Sequence, residues 1–354
     1  MKILAINPGS TSTKVALFED ETALFEWTLR HTAEELSCYA SILDQFEFRK
    51  EIILHALREA AVELSSLDAV IGRGGVVRPI RSGVYGVNAA LLHDLRHSSM
   101  GAHASNLGGL IADEIAREAG ARAFIADPVV VDELQPVARV TGLPQIERHS
   151  IFHALNQKAV ARQYAKEQGR KYEEMNLIVA HLGGGISVGA HRRGEVVDVN
   201  NALNGDGPFS PERAGSLPAQ QLADLCFSGE YTADRIRKMI CGEGGVVALL
   251  GTNDMRETIR HMEAGDGRAR LVMDAMCYNV AKWIGAMAVA LCGAVDAILL
   301  TGGIAHNESI CRAIEAQVSF LAPVVVIPGE NELEALALNA LQAMRGEVET
   351  KEYT

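Results

Sequence analysis

Aromatic side chains are scarce in this sequence, at 5% of its residues, while hydrophobic residues of all kinds reach 48% and glycines number 33. Small aliphatics must therefore fill the core, which suits a tightly packed α/β protein better than a β-sandwich. Positive charge is also short. Lys and Arg total 33 against 45 Asp and Glu, a net charge of −12, so the basic footprint that nucleic acid or an anionic membrane surface demands is missing. Neither is expected as a partner, and any anionic substrate has to be met by a few placed cations. The six cysteines, Cys38, Cys226, Cys241, Cys277, Cys292 and Cys311, include no CxxC pair and fall mostly in apolar helical patterns. A zinc site and a disulfide framework are both unexpected, and a reducing cytoplasm is the expected setting. Long hydrophobic runs are lacking too. The longest uncharged apolar stretch, 283–295, sits between Lys282 and Asp296 and has the length of a core helix, not of a bilayer span. The apolar run after Met1-Lys2 is cut by Asn7-Pro8-Gly9 too early for a signal peptide. At 354 residues, two domains or one large one are expected.

What is present is organised around Asn7 to Lys14, NPGSTSTK. The segments 3–6 before it and 15–18 after it are each too short for a helix and bounded by turn formers, so they read as the buried strands of a hairpin. Pro8 presets one backbone angle and Gly9 permits a positive one. Ser10, Thr11, Ser12 and Thr13 add hydroxyls beside backbone N–H groups that lack a ladder partner. Such a turn suits an anion, and an ordinary polar hairpin has the same composition. The design recurs in the middle of the chain, where the apolar strand 177–180 leads into His181-Leu182-Gly183-Gly184-Gly185-Ile186-Ser187. Strands over 187–191 and 195–199 follow, around a turn at Arg192-Arg193-Gly194. Two such cradles imply two halves. Neither has the spacing or the following helix of a Walker loop, and the Rossmann fingerprint fails as well, so a different nucleotide architecture is expected.

Taken in order, 24–29 reads as a third strand and 51–64 as a helix. The strand 68–72 ends in Gly72-Arg73-Gly74-Gly75, which puts a lone arginine at a carboxyl end, where α/β sheets place their sites. The segment 98–109 carries Met100-Gly101-Ala102-His103 and opens a helix running to about Glu118, with His103 in a turn. A strand over 122–126 ends in Asp127-Pro128, either a carboxylate at another strand end or a stock turn pair. The stretch 145–169, with Arg148, His149 and His153, reads as one long amphipathic helix, and the boundary between the halves is set near residue 150. The loop DVNNALNGDGPFSPERAG, 198–215, is too long for a mere connection and holds Arg213. Beyond the loop 242–256, Asp254 and Arg256 fall in the first turns of a helix, as a cap and a surface charge or as contacts to a nucleoside. The longest helix spans 267–293. The strand 296–301 runs into Gly302-Gly303-Ile304-Ala305-His306-Asn307, where a ligand can approach the backbone closely before the next helix. A strand at 324–327, a turn through Glu332 and a helix over 333–344 complete the chain, and the tail beyond Gly346 is expected to be loose.

Three ordered motifs carry a resemblance. NPGSTSTK, HLGGGIS and TGGIAHN are similar to the first phosphate, second phosphate and adenosine motifs of the acyl-carboxylate kinases. These are the acetate and butyrate kinases of the actin, sugar-kinase and heat-shock ATPase superfamily, and the resemblance runs along essentially the whole chain. The compact length and the 198–215 segment look like the butyrate-directed branch. The resemblance implies an α/β protein of two ribonuclease H-like (actin-like ATPase) domains with an interdomain cleft. The first would be 1–150 completed by 331–354, and the second 151–330 with the nucleotide site. It implies reversible transfer of the ATP γ-phosphoryl group to the carboxylate of butyrate, running in the cell towards ATP, in a homo-oligomer of two or more copies. ATP or ADP would lie against Ser10, Thr11, Ser12, Lys14, His181, Gly183, Gly184, Gly185, Asp254, Arg256, Gly302, Gly303, Ile304 and Asn307. Mg²⁺ would sit near Asp127 and Glu332, with Asn7 and His153 at the transferred phosphoryl group. Arg73 and Arg213 would clamp that group, and His103 with Arg73 would meet the acid.

The residue types suit this chemistry on their own account. A carboxylate is already ionised at neutral pH and needs no general base. Catalysis then reduces to positioning and neutralising two anions that repel each other, work for which arginine's planar fork and a metal are suited. Two departures stand out. Acetate kinases carry a second histidine four residues after the one matched by His153, where this chain has Gln157, and the adenosine motif reads GIAHN instead of the glycine-glutamate form. Kinases of acetate, propionate or a branched short acid stay open as alternatives, because one methylene in an apolar pocket is worth only about 1–3 kcal/mol. An ATP-driven switch sharing the core is a more distant one, and it would have no use for arginines facing a substrate.

Overall fold

A computed structural model describes residues 1–98 and 103–354. The chain forms two compact units, Met1–Val131 with Asn331–Thr354, and Asp132–Glu330. Strands of the first are β1 Lys2–Pro8, β2 Ser12–Glu19, β3 Thr22–Arg30, β4 Ala69–Arg73, β5 Val84–Gly86 and β6 Arg122–Ala126. Those of the second are β7 Asn176–Leu182, β8 Ile186–Arg192, β9 Glu195–Val199, β10 Ala297–Thr301 and β11 Val324–Val326, after which the chain returns to the first with β12 Thr350–Lys351.

The two sheets share one plan. In the first, ordered β12-β5-β6-β4-β1-β2-β3, the antiparallel meander β1-β2-β3 is extended by β4 parallel to β1 and β6 parallel to β4. In the second, ordered β11-β10-β7-β8-β9, the meander β7-β8-β9 is extended by β10 and β11 in the same sense. Each glycine-marked turn singled out in the sequence thus joins the first hairpin of its own sheet. The apolar runs of β7 and β10 follow from burial on both faces. Ile178, Ala180, Leu182, Ile298 and Leu300 join the core of the long helix Gly267–Ala290, while Leu177, Val179, Ala297 and Leu299 join that of the helix Ala154–Glu167. In the first unit the helix Asn106–Ala119 packs on β4 and β6. It comes so close that a Cβ on Gly72 would strike the Gly108 carbonyl, and one on Gly108 the Arg73 carbonyl. The glycines around Arg73 therefore lower a helix onto the sheet.

Several expectations are corrected. The helix expected over 51–64 is Phe46–Glu59. It is closed by a bond from Val62 N–H to Leu57 O at 3.0 Å with Ala61 at φ +54°, a C-terminal turn that the alanines at 60 and 61 conceal. Of the helix expected over 145–169 only Ala154–Glu167 forms. The stretch before it is drawn out by Arg148, which donates to Ala138 O, Asp198 Oδ1 and Val199 O, each at 2.9 Å. The boundary moves for a related reason. The Lys158–Glu133 ion pair at 2.8 Å and the bond from Gln135 N–H to Val197 O at 3.0 Å hold this stretch in the second unit, so the units part at Val131 and not near residue 150. The tail is not loose. β12 pairs in parallel with β5, and Tyr353, 2% exposed, donates its hydroxyl to Asp94 Oδ2 at 2.6 Å. Residues 99–102, expected to lead into the helix with His103, lie outside the described residues. Among the described residues no helix is long and apolar enough to cross a membrane, and all six cysteines are free.

Candidate active site

In the first unit the parallel pairing of β1, β4 and β6, with Ile6 beside Gly72 and Arg73 beside Ala126, brings Asn7, Arg73 and Asp127 to the carboxyl ends of three adjacent strands. Glu332 opens the helix Glu332–Met344 and joins them: its Oε2 accepts from Asn7 Nδ2 at 2.6 Å and from Arg73 Nη1 at 2.9 Å. Arg73 Nη1 also reaches Asn7 Oδ1 at 3.4 Å. Asp127 is buried and holds φ at +37°, a strained value for a residue with a side chain. Its Oδ1 accepts from Ser82 Oγ at 2.6 Å and from Gly83 N–H at 2.9 Å. Lys14 on β2 stands opposite Asn7. Ser10 and Thr11 are exposed at the tip of the turn, and Ser12 is half-buried where it closes on Gly9 N–H at 2.8 Å. His103 is exposed, its Nδ1 2.8 Å from Ser105 Oγ.

The sequence reading missed what holds that turn. Arg49, 1% exposed, donates to the carbonyls of Gly9 at 2.8 Å, Ser10 at 3.1 Å and Ser12 at 3.2 Å and to Thr13 Oγ1 at 3.1 Å, while Gln45 Oε1 takes its Nε and Nη2. Burial holds the guanidinium below its ordinary pKa. The remaining turn carbonyl, that of Thr11, accepts from His31 N–H at 2.9 Å, so the turn is held by its carbonyls. A signal was present: Gln45, Arg49, Ile53 and Leu57 recur every four residues, so this arginine sits on the stripe its own helix buries.

In the second unit Thr301 on β10 pairs beside His181 on β7. His181 is 1% exposed, with Nδ1 2.7 Å from Asn156 Oδ1. Its Nε2 lies 3.1 Å from Glu330 Oε1 but without hydrogen-bond alignment, so we read this as proximity only. The ring stacks on His153 with centroids 3.7 Å apart and planes 11° from parallel. The glycines have separate tasks. A Cβ on Gly185 would run into the guanidinium of Arg213, so this glycine is what lets Arg213 cross the turn. Ser210 Oγ donates to Gly184 O at 2.7 Å, and Arg213 Nη1 to Ala202 O at 2.6 Å. The loop carrying them is shaped by fully buried Asn200, which accepts from Val188 N–H at 2.7 Å and donates to Ile186 O and Asp206 O.

Beside this turn lies a cavity of about 470 Å³ lined by Gly183, Gly184, Asp254, Arg256, Gly303, Ile304, Asn307 and Glu330, with others. That size accommodates a nucleoside. Asp254 caps the helix Met255–Glu263 by accepting from Arg256 N–H at 2.9 Å, and it pairs with the Arg256 guanidinium at 3.1 Å. Asn307 caps Glu308–Val318 by accepting from Ile310 N–H at 3.0 Å. Both residues thus serve as caps and face the cavity. Gly302, at φ +90°, joins the strand ends through reciprocal bonds with Gly329 at 3.1 and 3.0 Å.

The profile of the Acetokinase family matches residues 144–326. Over 352 residues the chain is 56% identical to Butyrate kinase 1 of Clostridium acetobutylicum, covering 99% of each chain. The chain belongs to the acetokinase family. It is likewise 56% identical to a probable butyrate kinase of Bacteroides thetaiotaomicron, over 354 residues and 100% of both chains. Its fold is that of an acetate kinase of Porphyromonas gingivalis, with a TM-score of 0.79 at 20% identity, covering 97% of this chain and 99% of that one. The expected fold, mixed α/β with two sheets in the actin-like ATPase class, is the fold found. For this acetokinase family member the donor set also suits a hard divalent ion. Asp127 and Glu332 offer carboxylate oxygens, the donor type such an ion takes, and Glu332 already faces a cation in Arg73.

Proposed function

We propose that the protein transfers the γ-phosphoryl group of ATP reversibly to the carboxylate of butyrate, giving butanoyl phosphate and ADP. The carrying observation is identity of 56% along essentially the full length of Butyrate kinase 1. The site residues are consistent with it. A carboxylate attacks unaided, so the protein's task is to hold and neutralise anions. Arg73 and Arg213 would clamp the transferred group, Asn7 and His153 would donate to it, and His103 with Arg73 would orient the acid. The nucleoside would occupy the cavity at Asp254, Arg256, Gly303, Ile304 and Asn307. Its phosphates would face Ser10, Thr11, Ser12 and Lys14 of one turn and His181 and Gly183 to Gly185 of the other, up to Gly302. Asp127 and Glu332 would hold a Mg²⁺ ion, which when bound neutralises phosphate charge.

An acyl phosphate is a mixed anhydride lacking the resonance of its products, so the net direction in a fermenting cell would be towards ATP. A cytoplasmic homo-oligomer completes the reading, and light scattering on the purified protein tests the oligomer. Trapping acyl phosphate as hydroxamate, with ATP, Mg²⁺ and carboxylates from C2 to C6, tests the activity. Two further methylenes buried at about 0.8 kcal/mol each give butyrate roughly tenfold over acetate in kcat/KM. Equal values at saturating MgATP would return the protein to the broader short-chain kinases.

A further inference from the structure

We infer that Gln157 sets the tautomer of His153, through a buried chain of hydrogen bonds that all point one way and place the ring proton of His153 on Nε2. The inference rests on the reading above for what His153 touches. The chain itself stands on its own geometry.

The chain begins from an end with no freedom. The side chain of Gln157, 0% exposed, lies 3.0 Å from the backbone carbonyl of Ser187. A carbonyl only accepts, so the Gln157 atom facing it is the Nε2 amide nitrogen, and the other end is the acceptor Oε1. Oε1 lies 3.0 Å from His191 Nε2, which must therefore carry a proton. His191 is 0% exposed, and burial, reinforced by the charges of Lys158 and Arg162, holds its pKa well below the usual value. The ring is neutral, its Nδ1 is bare, and Tyr172 donates its hydroxyl to that Nδ1 at 2.7 Å. The other arm runs towards the site. Gln157 Nε2 also donates to Ser187 Oγ at 2.8 Å, and the backbone N–H of His153 reaches the same oxygen at 3.5 Å. With both lone pairs of Ser187 Oγ approached by donors, its own proton has His153 Nδ1, 2.8 Å away, as the acceptor. His153 then carries its proton on Nε2.

Gly189 shows that the fold keeps room for this chain. A Cβ there would lie 2.5 Å from Gln157 Oε1 and 3.2 Å from His191 Nε2. In these terms Gln157 is a positioning residue. It reaches the reacting group only through Ser187, and it makes His153 a donor towards a phosphoryl oxygen instead of a base, which a carboxylate nucleophile does not need.

Histidine-selective ¹⁵N labelling of the full chain, read by long-range ¹H–¹⁵N correlation, reports each ring nitrogen as bare or protonated. In the unsubstituted protein His153 and His191 are both expected bare at Nδ1 and protonated at Nε2, and a proton on Nδ1 of either overturns the proposal. Gln157→Glu reverses the inner arm. A carboxylate only accepts, so at a pH where the infrared carboxylate band shows the new group ionised, the Ser187 hydroxyl turns towards it and His153 keeps its bond only by donating from Nδ1. The expected result is a protonated Nδ1 on His153 and a kcat about 10²-fold lower, the loss seen when one donor to a developing anion is removed. KM for butyrate and MgATP should stay within about threefold. An unchanged His153 tautomer in Gln157→Glu, with the new carboxyl ionised by its infrared band, overturns the proposal even if activity falls. His153→Ala separates the two readings. If it retains kcat, the contact between His153 and the phosphoryl group is refuted, while the ring spectra still decide the chain.

Discussion

Replacing Arg49 tests the idea that the first phosphate turn is shaped from behind. In Arg49→Met the carbonyls of Gly9, Ser10 and Ser12 and the hydroxyl of Thr13 lose their donor together. A hydrogen bond to a charged group contributes about 1.5–3 kcal/mol net. Ser10 is exposed and its carbonyl can turn to water, so the reckoning rests on the Gly9 and Ser12 bonds, about 3 kcal/mol at the low end of that range. The low end applies because methionine also removes the cost of burying a guanidinium, the same cost that holds the pKa of Arg49 below its usual value. Urea unfolding followed by circular dichroism should show a lower midpoint at unchanged slope. Because the freed carbonyls no longer hold the turn, KM for MgATP should rise about tenfold, about 1.4 kcal/mol of binding. Arg49→Lys keeps the charge but offers a single point where a planar fork spans three carbonyls, so it should recover less than half of the stability. A loss below about 1 kcal/mol in Arg49→Met, or an unchanged KM for MgATP, would refute the argument.

Arg73→Ala and Arg213→Ala should each lower kcat about 10²-fold with little change in far-ultraviolet circular dichroism, and retention of kcat within threefold in both would show that the clamp is misplaced. Gly185→Ala should reproduce much of the Arg213→Ala loss, since the new methyl occupies the path of that guanidinium, and parental activity would remove the steric argument. Stability should fall as the pH drops below about 6.5, because His191 and His31 are both held below the ordinary histidine pKa, chiefly by burial. The unfolded chain then binds protons that the native state refuses, costing up to about 1.4 kcal/mol per pH unit for each histidine. His191→Asn should flatten the stability curve between about pH 6.5 and 5.5 by one proton's worth, and an unchanged slope would exclude His191 as a source.

The hairpins were legible because their evidence is local. β1 with β2 and β7 with β8 each announce themselves by two short apolar runs around a glycine turn. The recurrence of that design within one chain carried the expectation of two related halves. What failed was tertiary. Nothing in the polar tail near Thr350 says that it will pair with Val84, and nothing near Arg148 says that Asp198 will draw the segment out of a helix. The positive φ of Ala61 could not be anticipated from a residue whose intrinsic preference is helical.

The placement of the candidate residues was legible wherever one stood at a strand's carboxyl end, as Asn7, Arg73, Asp127 and His181 do. It was illegible wherever a polar residue acts from inside the core. Arg49 and His191 carry no motif and look in the sequence like ordinary surface or strand residues, and Ser187 closes the HLGGGIS motif without showing what its hydroxyl contacts. Gln157 is the instructive case, because the sequence showed only that it stands where related kinases have a histidine. A second histidine could donate or accept at either nitrogen, whereas the Gln157 amide, fixed by the Ser187 carbonyl at 3.0 Å, has only one workable orientation. Read this way, the substitution exchanges a titratable ring for a fixed dipole. The proton on His153 is then placed by hydrogen-bond direction, which makes the ring a donor and suits a reaction whose nucleophile is already ionised.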